Sequence, residues 1–401
     1  MREDIIAGLD IGTFSIKVLV LKKNQKWEVV SYNEVPSFGV RKGAVMNVEE
    51  TTKRIKMAIK EAEKEQRSKI ESVFVNIGGN HLYVIPSDGI ISVSRADQRI
   101  SKEDVERVLQ ATKAVNIPRN DEVIDVIPRE YIIDDQKGIK EPVNLAGVRL
   151  EARVLLLCGF SPFFVNLTKA VLNADLKIND VIPSPLAAAR AVLAPQQKEL
   201  GVAVIDLGAA TTSLVVFEEG ELVHLAIFPI GGANITNDIA IGLRTDVEIA
   251  EMIKKQYGAC LLSKAEKLTQ GKKIEVFDRS SLLVFSKKEL VNIIQPRVIE
   301  ILNLIQKELK KINKHQLPGG VILTGGGAKL NKIKEFTRES LRLSCEIGVP
   351  RDIEGIQEDP SWATVAGLAM EGIDFNEEES ILKVAKKWRE KIKKFFRLFL
   401  P

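Results

Sequence analysis

Cysteine is scarce, aromatic residues make up only 5% of the chain, and neither sign of charge dominates. The three cysteines, Cys158, Cys260 and Cys345, are odd in number and lack metal-ligand spacing. That excludes a disulfide framework and fits a reducing compartment. No run of about 18 uncharged apolar residues occurs, so no segment reads as a membrane-spanning helix. The opening MREDIIAGLDIG is no secretory leader, because its apolar stretch is short and Asp10 interrupts it. A formal charge of +4 over 401 residues is too near neutral to argue for nucleic acid. The basic excess sits at the far C-terminus. The length suits two to four domains or subdomains of an ordinary globular protein. The expectation is a cytoplasmic protein attached to a membrane surface.

What is present is a repeat. Residues 5–9 form a short apolar strand, Asp10-Ile11-Gly12-Thr13 a turn, and 16–21 and 27–32 two further strands. The plan returns at 202–205, with Asp206-Leu207-Gly208 as the turn and strands at 213–217 and 222–228. Asp10 matches Asp206 and Gly12 matches Gly208 at one offset, so a single unit is used twice. The competing account is two hairpins alike by chance, with each aspartate a turn-former.

The loop chemistry favours phosphate. Glycine lets the backbone turn sharply and bring N–H groups close to a ligand. Thr13, Ser15, Thr211, Thr212 and Ser213 add hydroxyl and amide donors. A bare carboxylate repels phosphate, so Asp10 and Asp206 make sense with a cation between them. Mg²⁺ held through water and substrate phosphates is that cation. A third turn, Gly325-Gly326-Gly327, ends the buried strand VILT and leads into a helix from about Leu330. Backbone without side chains suits close contact with a flat ring or a phosphate.

These segments, in this order, resemble the actin/Hsp70/sugar-kinase superfamily. GLDIGTFSIKVLV is similar to its first phosphate motif, VAVIDLGAATTSLVVF to its second, and VILTGGGAKL to its adenosine motif. Segments 182–193 (IPSPLAAARAVL) and 362–370 (WATVAGLAM) are similar to its two hinge helices, whose small residues let helices cross closely. Within the superfamily the resemblance is to the FtsA family of bacterial cell-division actin homologues, along essentially the whole chain. It is carried by residues 224–258, by an insert at about 82–159, and by the tail.

The resemblance implies an α/β fold with two actin-like domains, each a duplicated ribonuclease H-like sheet. It further implies a small α+β inserted subdomain and a C-terminal amphipathic helix. The expected division is 1–81 and 161–195 for the first domain, interrupted by the insert at 82–160. The second domain comprises 196–230, an upper subdomain at 231–317, and 318–372 with the adenosine loop and return hinge. A linker at 373–380 and a membrane helix at 381–401 follow. In the insert, a helix at 101–115 starts at Ser101 with Asp104 in the capping-box region. ATP and Mg²⁺ are the implied cofactors. The implied nucleotide contacts are Asp10, Gly12, Thr13, Phe14, Ser15, Gly208, Ala209, Thr211, Glu251, Lys254, Gly326 and Gly327. Glu251 and Lys254 contact ribose and base in bacterial actins, although an i,i+3 surface pair explains the same spacing.

The tail carries its own signal. Ile381, Ala385, Trp388, Ile392, Phe395 and Phe399 recur at helical steps, with Phe396 beside them. Lys383, Lys386, Lys387, Arg389, Lys391, Lys393, Lys394 and Arg397 face a single acid, Glu390, for a net +7. Aromatics on one face and lysines on the other describe a helix lying in a membrane interface. Each cation near anionic lipid contributes roughly 1 kcal/mol before screening. A terminal helix docked on the protein's own core is the competing account.

In relatives that hydrolyse ATP well, a Glu or Gln before the first hinge helix orients water. Here the position is Ser184. Serine is a poor base, so turnover should be slow, with Asp206, through Mg²⁺ and water, the remaining catalytic candidate. The resemblance also implies filament formation, other division proteins, and docking of the C-terminal peptide of the tubulin homologue FtsZ on the upper subdomain. Lys287, Lys288, Arg297 and Lys307 are candidate receivers of an acidic peptide, against the alternative of a solvated helix face. A type IV pilus assembly ATPase-like protein of the same fold would explain the cleft but not the basic tail. A sugar or acetate kinase would need a catalytic base that the sequence does not offer.

Overall fold

The computed structural model describes residues 5–381 apart from 24–26, 95, 263–272, 279–280 and 357. Strands β1 (Ile5–Ile11), β2 (Ser15–Lys23) and β3 (Trp27–Pro36) form an antiparallel meander. A small hairpin of β4 (Val40–Arg41) and β5 (Ala44–Val45) leads to α1 (Val48–Gln66). Helix α1 returns the chain to β6 (Ser72–Ile77), parallel to β1. The insert then runs through β7 (Tyr83–Ser92), α2 (Lys102–Ala111), β8 (Asp121–Ile133), β9 (Gln136–Ile139) and β10 (Arg149–Phe160). The chain re-enters the first lobe with α3 (Ser161–Leu172) and β11 (Lys177–Pro183), and leaves it through α4 (Ser184–Val192) and α5 (Pro195–Leu200).

The second lobe repeats the plan with β12 (Val202–Leu207), β13 (Thr212–Glu218) and β14 (Glu221–Phe228). Its upper subdomain holds α6 (Gly232–Leu243), α7 (Val247–Tyr257), the hairpin β15 (Lys273–Asp278) and β16 (Ser281–Ser286), and α8 (Lys287–Lys311). Strand β17 (Val321–Thr324), α9 (Ile333–Leu341) and β18 (Cys345–Ile347) close the lobe, and α10 (Ala363–Ile381) returns to pack on β1, β2 and β6 of the first lobe. The first sheet is ordered β11-β6-β1-β2-β3 and the second β14-β13-β12-β17-β18. Read from the opposite edge, the second order is the first. The repeat expected from two loops therefore extends to both five-stranded sheets.

Both faces of each sheet are covered, so the central strands are apolar nearly throughout. One core lies under α1 and α3, another under α6 to α9, and a third between the lobes around α4 and α10. That third core is built from small residues: Ala187, Ala188, Ala189 and Ala191 on α4, and Ala363, Ala366 and Ala369 on α10. A Cβ on Gly367 would stand 1.7 Å from the Ala187 carbonyl oxygen, so the helix backbones touch there. Gly8 of β1 is also confined, though less, with the Val365 oxygen 2.8 Å from its absent Cβ.

The insert is a four-stranded sheet, β7-β10-β8-β9, with α2 against one face. Ser101 and Asp104 form the expected reciprocal cap, with Asp104 N to Ser101 Oγ at 3.2 Å and Ser101 N to Asp104 Oδ2 at 3.0 Å. The helix ends earlier than expected: after Ala111 the backbone tightens, with Lys113 N to Gln110 O at 3.1 Å and Ala114 N to Ala111 O at 3.3 Å, and the Thr112 hydroxyl donates to the Leu109 carbonyl at 2.7 Å.

One expected boundary is corrected. The stretch 373–380, read as a polar tether, continues α10, which runs unbroken from Ala363 to Ile381. Its glutamates are good helix formers, and no glycine or proline interrupts them. The expected membrane helix lies outside the described residues.

The Gly367 contact makes a direct prediction. Gly367→Ala should lower stability by roughly 3 kcal/mol or more, since neither backbone can give way. Gly326→Ala, whose Cβ would meet nothing within 4 Å, should leave the unfolding temperature unchanged. Thermal unfolding of the two variants beside the parent checks both.

Candidate functional site: the cleft between the lobes

The carboxyl ends of β1 and β12 face each other across a cleft of about 990 Å³. That is at the upper end of the range for small-ligand sites. Asp10, Gly12, Thr13, Phe14, Ser15, Gly208, Ala209, Thr211, Glu251, Lys254, Gly326 and Gly327 all line it, as does Asp206. The residues that the sequence set apart, on four separate stretches of chain, thus share one cavity.

The two loops are built alike. Gly12 N donates to Ser15 O at 3.1 Å, and Gly208 N to Thr211 O at 3.0 Å. In the second loop the carbonyls of Gly208 and Ala209 accept from Gly232 N and Ala233 N at 2.8 and 2.7 Å, at the start of α6. A trans peptide points its N–H opposite to its C=O. The amides of Ala209 and Ala210 therefore point away from α6, the arrangement an anion needs. Neither alanine has a positive φ, so alanine serves here without strain. Gly325, at φ +83°, cannot be replaced so easily: its Cβ would stand 2.1 Å from Asp206 Oδ1.

Glu251 and Lys254 do form an i,i+3 pair, at 2.6 Å, but inside the cleft rather than on a solvated face. Thr236 Oγ1 donates to Glu251 Oε2 at 2.5 Å and receives Lys254 Nζ at 2.8 Å. Burial opposes ionisation of Glu251, yet Lys254 and Thr236 hold its carboxyl below the usual range. Burial pulls the Lys254 amine down. Across the mouth of the cleft, Lys255 Nζ lies 4.8 Å from the centre of the half-exposed Phe14 ring.

Two site residues escaped the sequence reading. Lys17 pairs across the β1–β2 ladder with Asp10 and is 6% exposed. Its amine donates to the Ser361 carbonyl and lies 3.9 Å from Glu34 and 5.2 Å from the centre of the Trp362 ring. A lysine inside the apolar run SIKVLV was the available signal. Asn76, at the end of β6, is 4% exposed and donates to Asp10 Oδ1 at 2.8 Å. Its signal was a lone amide at the end of SVFVNI, just before two glycines.

Two of the three basic residues are relocated. Lys287 lines the cleft and donates to the Tyr257 carbonyl, so it does not belong to an outer peptide-binding face. Arg297 is held by Asp238 through bonds of 2.7 and 2.9 Å and by Glu300 at 2.5 Å, which leaves little charge to offer. Only Lys288 of the three stands exposed.

The electrostatics centre on the aspartates. Burial, opposed by Lys17, raises Asp10 to about 7, and the nearby Asp206 charge adds to the rise. Burial, again opposed by Lys17, raises Asp206 to about 6. Among the described residues no group of three His, Cys, Asp or Glu side chains is placed to hold a metal unaided. The donor set fits a cation shared with a ligand's phosphates and water. The expected membrane-binding residues Trp388, Ile392, Phe395, Phe396, Phe399, Lys386, Lys387, Lys391, Lys393 and Lys394 lie outside the described residues.

The raised values set a pH dependence. In the unfolded chain these carboxyls titrate near 3.8, so between pH 4 and 7 the folded ligand-free chain binds more protons. Its stability should then fall as pH rises through that window. Asp10→Asn removes one such group. Its unfolding temperature should gain on the parent's as pH goes from 5 to 8 without nucleotide, in a calorimetric pH series. A constant gap would refute the assignment.

Comparison with known proteins agrees with this architecture. Residues 203–367 match the family model "Cell division protein FtsA", and 79–158 match "SHS2 domain inserted in FTSA". Cell division protein FtsA of Pseudomonas aeruginosa is 37% identical over 92% of this chain and 89% of its own. That of Bacillus subtilis is 35% identical over 92% and 83%. Among solved structures, the PilM-PilN type IV pilus biogenesis complex matches with a TM-score of 0.65 at 19% identity, covering 92% of this chain and 98% of that one. MreB5 of Spiroplasma citri bound to ADP matches at 0.56 and 13%, covering 94% and 98%. At those identities the structures show the actin-like fold alone. With sequence identity to cell-division proteins maintained along almost its whole length, the chain belongs to the FtsA family.

Proposed function

We propose that this chain binds ATP with Mg²⁺ between its lobes, forms filaments, and tethers the FtsZ ring to the cytoplasmic face of the membrane at the division site. The observation that carries the nucleotide reading is the pair of matched loops facing each other across the cleft. Asp10 and Asp206 would hold Mg²⁺ through water. The ion would neutralise the phosphates beside two carboxylates whose titration burial otherwise raises. Amides of the loops would take the phosphates, Glu251 and Lys254 the ribose and base, and Gly326 and Gly327 the adenine side.

Turnover is slow on this reading. The Ser184 hydroxyl is engaged twice, accepting from Asn76 Nδ2 at 3.0 Å and donating to the Ile77 carbonyl at 3.1 Å. It is poorly disposed to orient an attacking water. Asp206 remains the candidate for assisting hydrolysis. The ATP is held more than spent.

The basic, aromatic tail supplies the anchor to anionic lipid, and polymerisation multiplies a modest affinity per copy. Lys288 and Lys307 remain the candidates on the upper subdomain for the FtsZ peptide, and other division proteins join the assembly. The pilus reading is not favoured. Its structural match is 19% identical, whereas FtsA relatives reach 37%.

Calorimetric titration with ATP and Mg²⁺ should show one site, with Asp206→Asn weakening binding about tenfold or more. No heat with the parent chain would sink the nucleotide reading. Separately, removing 381–401 should abolish co-sedimentation with anionic vesicles, and unchanged pelleting would sink the tether.

A further inference from the structure

We propose that Asn76 is a positioning residue for the magnesium–nucleotide complex. It fixes the Asp10 carboxylate and ties it through Ser184 to the first turn of the hinge helix α4. This rests on the nucleotide reading above.

The geometry leaves Asn76 little choice. Its Oδ1 accepts from the Ile11 amide at 2.6 Å, which orients the carboxamide and forbids a flip. Its Nδ2 then faces Asp10 Oδ1 at 2.8 Å and Ser184 Oγ at 3.0 Å, spending both hydrogens. Ser184 in turn donates to the Ile77 carbonyl at 3.1 Å. The neighbours of Asn76 on β6, Val73, Phe74, Val75 and Ile77, are all buried and apolar. A valine would fill the space. Burying an amide is tolerated only when its bonds are made, and here all of them converge on the cleft end of the sheet.

The position gives Asn76 its leverage. It stands opposite Ile182 on β11, the strand that turns into α4 at Pro183. One carboxamide therefore spans the ends of β1, β6 and β11. Asp10 cannot rotate about its side-chain bonds without breaking a charge-assisted hydrogen bond. A carboxylate that meets its cation through water gains from being fixed beforehand, because its orientation is not lost on binding.

The test measures ATP affinity by titration with Mg²⁺ and with EDTA, on the full chain. Variants are Asn76→Ala, Ser184→Ala, Asp10→Asn and the double variant Asn76→Ala with Asp10→Asn. Expected results are that Asn76→Ala cuts the Mg²⁺-dependent gain in affinity about tenfold and leaves the EDTA value unchanged. Ser184→Ala should cut the same gain less. The double variant should lose no more than Asp10→Asn alone, because Asn76 acts through Asp10. Losses that add in the double variant, or equal losses with and without Mg²⁺, would make Asn76 a structural plug and overturn the proposal. Should Asn76→Ala not fold, an unchanged gain in Ser184→Ala overturns it. A parent chain that binds no ATP overturns the nucleotide reading itself, and the inference with it.

Discussion

The lobes stand as close as two helices without side chains between them can bring them. Everything in the cleft follows from that crossing. Gly367 on α10 rests on the Ala187 carbonyl of α4, and a run of alanines on both helices keeps the contact flush. A bulkier pair would part the lobes and carry Asp10 and Asp206 away from each other. Close crossing thus creates the electrostatic problem of the site: two carboxylates in a shared, poorly hydrated space.

The fold answers that problem unequally. Lobe I supplies Lys17, whose charge lowers both aspartates, and Asn76, which donates to one of them. The repeat-equivalent positions in lobe II are Ser213 and Thr324. Register shows it: Asp10 pairs with Lys17 as Asp206 pairs with Ser213, and β17 stands to β12 as β6 to β1. Thr324 spends its hydroxyl on the Gly348 and Pro360 carbonyls, away from Asp206. Lobe II contributes amides and the Glu251–Lys254–Thr236 cluster instead. Duplication provided the frame, and each half then lined the cleft with a different set of side chains.

What was legible in the sequence was what repeats or what breaks a pattern by type. Asp-x-Gly at a strand end, twice at one offset, disclosed both loops and from them both sheets. The hinge was implied by the resemblance, which small residues in helical runs carried. Lys17 and Asn76 were hidden because each is a single polar residue in an apolar strand, and only the register brings it to Asp10. Arg297 misled for the opposite reason. Its basic character was plain, but its partner Asp238 lies 59 residues away, on another helix. The stretch 373–380 misled because acidic composition fits a tether and a helix equally, and continuity with α10 decided for the helix.

That continuity changes how the tail connects to the cleft. A flexible tether would let the terminal segment move independently of the lobes. A helix fixes direction. The α10 that crosses α4 beside the cleft is the same element that runs out to Ile381. Arg190 on α4 grips Asp374 on α10 through bonds of 2.9 and 3.2 Å, beyond the glycine contact. The outgoing segment is therefore clamped to the hinge at two levels, by backbone contact at Gly367 and by an ion pair about two turns further on. Any rotation of the lobes that alters the α4–α10 crossing must turn the end of α10 with it. The residue that carries Asn76's grip into α4, Ser184, belongs to the same helix. The cleft and the exit of the chain are in this way two ends of one rigid crossing.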